Sequence, residues 1–215
     1  KGKFPVVWDP KENIAVGDHD RSVGEGETTQ EFCLFKFKLP DGRLLITATL
    51  RPDTVMGITN VYVNPDETYM HIHTKGEDWI VGRPIVEKLR YQDFVIKVIG
   101  EVKGAGLIGR EVESFSGLKI PVLPASFLRT EYGTGIVHSV PSDSADDLIA
   151  LRDMQRNQKL LKEYHLDVET VRAIQPIGIF DTPNVGDNPA AHFLEEYSVA
   201  SQNERKKLEQ IKKEL

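Results

Sequence analysis

Cysteine is almost missing from this 215-residue chain, which contains Cys33 alone. One thiol forbids an internal disulfide and cannot build a cysteine-rich zinc site, so the composition fits a reducing cytoplasm. Long apolar runs are missing as well. No stretch approaches the ~20 residues of a membrane-spanning helix, and Lys1 to Pro10 holds no apolar signal-peptide core, so a soluble chain is expected. There is no initiating methionine, internal repeat, low-complexity stretch or Pro/Ser linker. The expectation is one domain spanning 1–215, cut from a longer chain. Positive charge is also in short supply. With 27 Lys and Arg against 33 Asp and Glu the formal charge is −6, which opposes gripping a nucleic-acid backbone over a broad face. Any nucleic-acid contact would be local.

Familiar catalytic signatures are absent too. Neither G-x-S-x-G nor H-E-x-x-H occurs. Gly133 and Gly135 precede a strand rather than a helix, so neither a dinucleotide fingerprint nor a P-loop fits. A Cys33 nucleophile would have to act from mid-strand, and its place in the pattern makes it a core residue. An enzyme built on this chain would use positioned water.

What is present is a series of short strands. Glu31 to Leu39 alternates, with Cys33, Phe35, Phe37 and Leu39 on one face and Lys36 and Lys38 on the other. Pro40-Asp41-Gly42 turns the chain into the partner run Leu44 to Leu50. Further strands are predicted at 61–63, 79–81, 94–99, 119–123, 136–140 and 174–180, and such a set suggests a closed or strongly curved sheet. Helices are predicted at 84–89, at 145–157 behind the Ser144/Asp147 capping pair, from Pro189, and from Ser201 to the last residue.

Three segments concentrate polar groups. Thr47 to Thr54 runs from a buried strand into Arg51-Pro52-Asp53, which collects hydroxyls and free N–H groups at a strand end. Tyr132 to Gly135 is a glycine turn that permits close backbone approach. At Val140 to Asp147 a strand hands over to a helix. Asp143 and Asp146 read as dipole and capping residues, with Asp146 toward solvent, whereas Asp147 lines up with Ala150, Leu151 and Met154 on the apolar stripe. An inward carboxylate needs a partner: a ligand ammonium, Arg51 or a capping N–H. His71 and His73 share a strand face without a third ligand, so solvated histidines are expected rather than a metal site. Asp18-His19-Asp20 reads as a polar loop.

Taken together, Thr49-Leu50-Arg51-Pro52-Asp53-Thr54, Gly57 to Asn60, the run from Gly133 to Ser142, and Asp147 resemble the editing domain of the leucyl-tRNA synthetases, the insertion called connective peptide 1. Val16 to Asp20 resembles its entry segment and Ser201 to Leu208 its exit, in the archaeal and eukaryotic cytosolic style. The resemblance implies a mixed β/α fold, a β-barrel-like core of short strands surrounded by helices. It implies hydrolysis of wrongly charged aminoacyl-tRNA(Leu), carrying norvaline, isoleucine or methionine, with leucine excluded. Such a second pocket is needed because one methylene separates substrates by only about 1–3 kcal/mol.

Carried over residue by residue, the resemblance makes Asp147 the anchor of the substrate ammonium and Thr54 the barrier to leucine. Thr49 stands near the reacting ester or its water, with Arg51 lining the pocket. Val137, His138 and Ser139 would contact the terminal adenosine, and Thr47, Leu50, Asp53 and Ile136 complete the substrate-binding set. Leu50 occupies the place of a second threonine in bacterial relatives, so no hydroxyl acts there. Asp9 and Glu12 stand where some synthetases carry a W-C-P-x-x-C-like element, so no zinc is inferred. No cofactor is implied for editing, ATP and Mg serving only the parent's synthetic site. The implied partners are the 3′ CCA end of tRNA(Leu) and the rest of the synthetase, with a monomeric fragment, no membrane and no aminoacylation, because H-I-G-H and K-M-S-K-S are missing. Two alternatives stay open: a non-catalytic module binding amino acids or the tRNA 3′ end, and the isoleucyl or valyl editing branch.

Overall fold

A short hairpin opens the described chain, with β1 (Trp8–Asp9) antiparallel to β2 (Ile14–Ala15). The Asp9 carboxylate closes its turn, Oδ1 accepting the N–H of Lys11 at 2.8 Å and of Glu12 at 3.3 Å. A 3-10 turn follows at Asp18–Asp20, where Asp20 Oδ2 accepts the Gly17 N–H. The computed structural model describes residues 6–21 and 29–215. Lys1 to Pro5, part of the N-terminal stretch without an apolar signal core, lie outside the described residues. The chain divides into two units, Lys1–Phe32 and Cys33–Leu215, and every candidate site residue belongs to the second.

That second unit contains a nine-stranded mixed sheet. Its strands are β3 (Cys33–Lys38), β4 (Leu44–Thr49), β5 (Asn60–Val63), β6 (Thr68–Thr74), β7 (Glu77–Gly82), β8 (Lys97–Lys103), β9 (Glu111–Glu113), β10 (Lys119–Pro124) and β11 (Val137–Ser139). They lie in the order β11-β5-β10-β9-β3-β4-β7-β6-β8. The β3–β4 register pairs Cys33 with Thr49, Phe35 with Thr47 and Phe37 with Leu45, so the apolar face predicted for β3 carries the threonines of β4 beside it. The sheet curls until β11 faces β4, five positions away in strand order, but β11 and β8 remain separate edges. The barrel-like core is therefore an open, strongly curved sheet.

Apolar residues fill both faces. Phe37, Leu45, Val61, Tyr69, Ile80 and Val122 pack inside the curl, while Ile46, Ile72, Trp79 and Val81 meet α1 (Ile85–Arg90) outside it. The six helices continue with α2 (Ala145–Arg156), α3 (Gln158–Glu163), α4 (Val168–Ala173), α5 (Pro189–Glu196) and α6 (Arg205–Ile211). One face of α2 packs Ala150 and Met154 on Tyr62, Leu123 and Val171; the other packs Leu148 and Ile149 on Leu194, Leu208 and Ile211. At about 1.5–3 kcal/mol per buried large apolar side chain, this two-sided burial anchors the element that carries Asp147. No helix among the described residues is long and apolar enough to cross a membrane.

Several expectations are corrected. Cys33 is exposed, because β3 sinks toward Phe37 and only the far end of its apolar face reaches the core. Residues 174–180 form no strand: Pro176 removes a ladder donor, and the Ile174 carbonyl accepts from Gln155 instead. Helices α3 and α4 were not anticipated, being six residues each and without full periodicity. The last helix starts at Arg205, since Ser201 donates to Asp153 rather than capping, and stops at Ile211.

Candidate active site

Pro52 sets the first wall. It stops β4 and begins a 3-10 helix, Pro52–Gly57, with Arg51 extended at its N-cap. Thr54 is thereby buried, its hydroxyl donating to the Arg51 carbonyl at 3.0 Å. Thr49 Oγ1 accepts the Arg51 N–H at 3.0 Å. The side chains of Arg51 and Asp53 stay exposed and pair with each other at 3.5 Å, and Leu50 is exposed. Arg51 is thus not the partner of the inward carboxylate.

The second wall is β11. Gly135 adopts φ +77°, and a Cβ there would stand 2.9 Å from the Thr130 carbonyl oxygen, so glycine is required for this backbone to pass so close. The neighbouring Thr134 carbonyl accepts the Gly82 N–H at 2.7 Å, which ties the glycine turn to β7. From this turn the chain enters Ile136, which is core, and β11. His138 points into the curl, where its Nδ1 lies 2.6 Å from Thr47 Oγ1 and its ring meets Phe35 edge-on. Burial pulls its pKa down to about 4, so the imidazole is neutral at pH 7. Val137 is half-buried and Ser139 fully buried.

The third wall is the first turn of α2. Ser144 caps it by accepting the Asp147 N–H at 3.3 Å, and the Asp147 carboxylate turns inward, where Oδ2 accepts the Val140 N–H at 2.8 Å. A capping N–H is therefore its protein partner. Burial pushes the Asp147 pKa up to about 6, opposed by the Val140 hydrogen bond. The flanking acids differ from expectation. Asp146 is held by Arg205 of α6 and by Lys212 just beyond its end, at 2.6 and 3.0 Å, rather than pointing free to solvent. Asp143 is buried and takes the Ser142 hydroxyl.

The structure thus joins Thr47 to His138 inside the curl and Asp147 to the Val140 N–H just after β11, while the register turns Val137 and Ser139 to the face opposite His138, beside Tyr62 and Asn60; Leu50, Arg51 and Asp53 are exposed. It adds residues the sequence did not single out. The buried Tyr62 OH has Asn60 and Ser139 as polar neighbours, close enough to oppose the rise of its pKa though outside good hydrogen-bond geometry, and it feels the Asp147 charge. Desolvation raises the Tyr62 pKa well above its usual range, so the phenol stays protonated. A tyrosine in an all-buried strand was the available signal. His71 and His73 both face Asp78, at 3.8 and 2.7 Å. No group of three or more potential metal-ligating side chains is found among the described residues.

The family model "Leucyl-tRNA synthetase, editing domain" matches residues 29–177. Leucine--tRNA ligase of Methanothermobacter thermautotrophicus is 42% identical over 205 residues, 95% of this chain and 22% of the relative. That of Aeropyrum pernix is 38% identical over 218 residues, 100% of this chain and 23% of the relative. The chain therefore spans less than a quarter of these relatives. Crystal structures of the cytosolic leucyl-tRNA synthetase editing domains of P. knowlesi and P. falciparum superpose with a TM-score of 0.76, at 23% and 20% identity. The first match covers 86% of this chain and 83% of that one, the second 86% and 85%, and they share its fold. This chain belongs to the leucyl-tRNA synthetase editing-domain family.

Proposed function

We propose that the chain hydrolyses the ester of noncognate aminoacyl-tRNA(Leu), accepting norvaline, isoleucine or methionine and rejecting leucine. The observation that carries this reading is the Asp147 carboxylate: inward, half-buried, with Oδ2 accepting the Val140 N–H at 2.8 Å. A carboxylate has about four acceptor sites, so it keeps capacity for a cation. The α-ammonium of an aminoacyl ester is such a cation, and pairing with it offsets the desolvation that raises the Asp147 pKa.

Anchored there, the amino acid extends toward Thr54. The Thr54 side chain is locked by its bond to the Arg51 carbonyl, so a γ-branched end meets a wall that cannot swing away. Thr49 stands beside the ester and its attacking water. Val137, His138 and Ser139, with Ile136 before them, would supply wall and backbone groups around the terminal adenosine, the neutral His138 ring being fixed inside the curl by Thr47. Leu50, Arg51 and Asp53 guard the rim. An aminoacyl ester is already activated, so orienting one water and stabilising the developing oxyanion with N–H or hydroxyl donors suffices. No cofactor takes part, and the 3′ CCA end arrives from a tRNA otherwise held by the parent synthetase in the cytoplasm.

The test is deacylation of isoleucyl-tRNA(Leu) in the full-length synthetase carrying this domain. Asp147→Ala is expected to abolish it, and retained hydrolysis would remove Asp147 from the role assigned here.

A further inference from the structure

Arginines in this fold are mostly spoken for. Arg43, Arg51, Arg83, Arg110, Arg129 and Arg205 each pair with a carboxylate. Arg90, Arg152, Arg156 and Arg172 have no carboxylate partner among the described residues, and the last three line one open cleft of about 510 Å³ together with Gln155. Arg152 and Arg156 are four residues apart on α2, so their like charges face each other, an arrangement that costs stability in isolation. The Arg172 Nε reaches only the Gln155 carbonyl, at 3.3 Å. Gln155 in turn donates to the Val171 and Ile174 carbonyls, which fixes α4 against α2 and holds the three guanidinium groups around the same space. The helix dipole accounts for a cation at the last turns of α2 and α4, where Arg156 and Arg172 sit, but not for Arg152 joining them.

We infer that this cleft binds a phosphodiester of an RNA backbone, at a place separate from the hydrolytic pocket. Guanidinium forks match phosphate oxygens in pairs, and three of them converging without an internal counter-ion form a site that an external anion completes. The lining offers no aromatic or aliphatic side chain to grip a base or a peptide anchor, which favours a sequence-blind backbone contact. At 100° per residue, Arg152 and Arg156 lie about 140° and 180° around α2 from Asp147, so the cleft opens on the other side of the helix. It therefore meets RNA away from the terminal adenosine. On a chain of charge −6 it supplies the local contact that the composition allows. The choice of RNA over another polyanion rests on the function proposed above.

Fluorescence anisotropy of a labelled acceptor-stem RNA hairpin lacking its CCA end, titrated with the 215-residue chain, tests this. The hairpin carries no ester and no terminal adenosine, so Asp147→Ala should leave its binding unchanged, and failure of the hydrolytic reading stays distinguishable. Combined Arg152→Gln, Arg156→Gln and Arg172→Gln should weaken binding at least tenfold at low salt. The log–log salt slope should fall by about 1–2 units. The corresponding triple lysine variant should keep the slope while binding more weakly, because point charges replace forks. Undiminished binding by the glutamine variant overturns the proposal, as does an equal loss from Arg90→Gln, Lys97→Gln and Lys119→Gln, which remove the same charge elsewhere. Absence of wild-type binding, or displacement of the hairpin by inorganic phosphate or polyglutamate at matched charge, overturns it as well.

Discussion

Thr47 on β4 and His138 on β11, 91 residues apart in the chain, are joined by a buried hydrogen bond of 2.6 Å. It links a sheet edge to a strand five positions inward, two strands that no backbone ladder joins. Thr47→Val keeps the shape and leaves the imidazole nitrogen unpaired, so it is expected to cost about 1–3 kcal/mol in urea unfolding. An unchanged midpoint would show the bond to be idle.

The two shifted groups oppose each other with pH. Asp147 titrates near 6 in the fold against an ordinary 3.8, so the stability it contributes is full below the ordinary value and lost as pH rises toward 6. His138 titrates near 4 against 6.5, so its burial destabilises at low pH and the penalty vanishes as pH rises through 6.5. Each effect is about 3 kcal/mol and they have opposite signs, so the wild type should be nearly flat between pH 4.5 and 6.5. Asp147→Asn should gain stability as pH rises over that interval and His138→Gln should lose it. Parallel profiles for all three proteins would refute the assignment.

Ammonium recognition needs an ionised Asp147. Hydrolysis of isoleucyl-tRNA(Leu) by the parent enzyme should therefore fall about tenfold per pH unit below about 6, visible in kcat/KM. A rate independent of pH from 5 to 7 contradicts this.

Thr54→Ala removes a buried side chain anchored at 3.0 Å to the Arg51 carbonyl. Leucyl-tRNA(Leu) should then be hydrolysed at a rate comparable with isoleucyl-tRNA(Leu). If correctly charged tRNA survives, exclusion of leucine lies elsewhere.

Gly135→Ala places a methyl group at φ +77°, 2.9 Å from the Thr130 carbonyl oxygen. About 2 kcal/mol or more of destabilisation is expected, with β11 displaced and editing reduced together. A thermal melt within error of the wild type would contradict the close approach.

Much of this was legible in the chain itself. The alternation from Cys33 to Leu39 fixes which side chains share a face, Pro40-Asp41-Gly42 makes the hairpin, and Ser144 with Asp147 announces the start of α2. Those signals are readable because they arise from backbone bonds spanning a few residues. The apolar spacing of Asp147 with Ala150, Leu151 and Met154 even foretold that its carboxylate turns inward. The exposure of Cys33 was not readable, because alternation assigns a face without saying how far along the strand the core extends.

Tertiary structure decided the rest. The Val140 N–H as partner of Asp147, the pairing of Thr47 with His138, and the buried grouping of Tyr62, Asn60 and Ser139 depend on how far the sheet curls, which no single strand controls. The arginine cleft needed α4, a six-residue helix that periodicity is too short to reveal, docked on α2 through Gln155. Local pattern sets each element and its faces, whereas side-chain partners distant in the chain are chosen by register and curvature, which every packed element sets jointly.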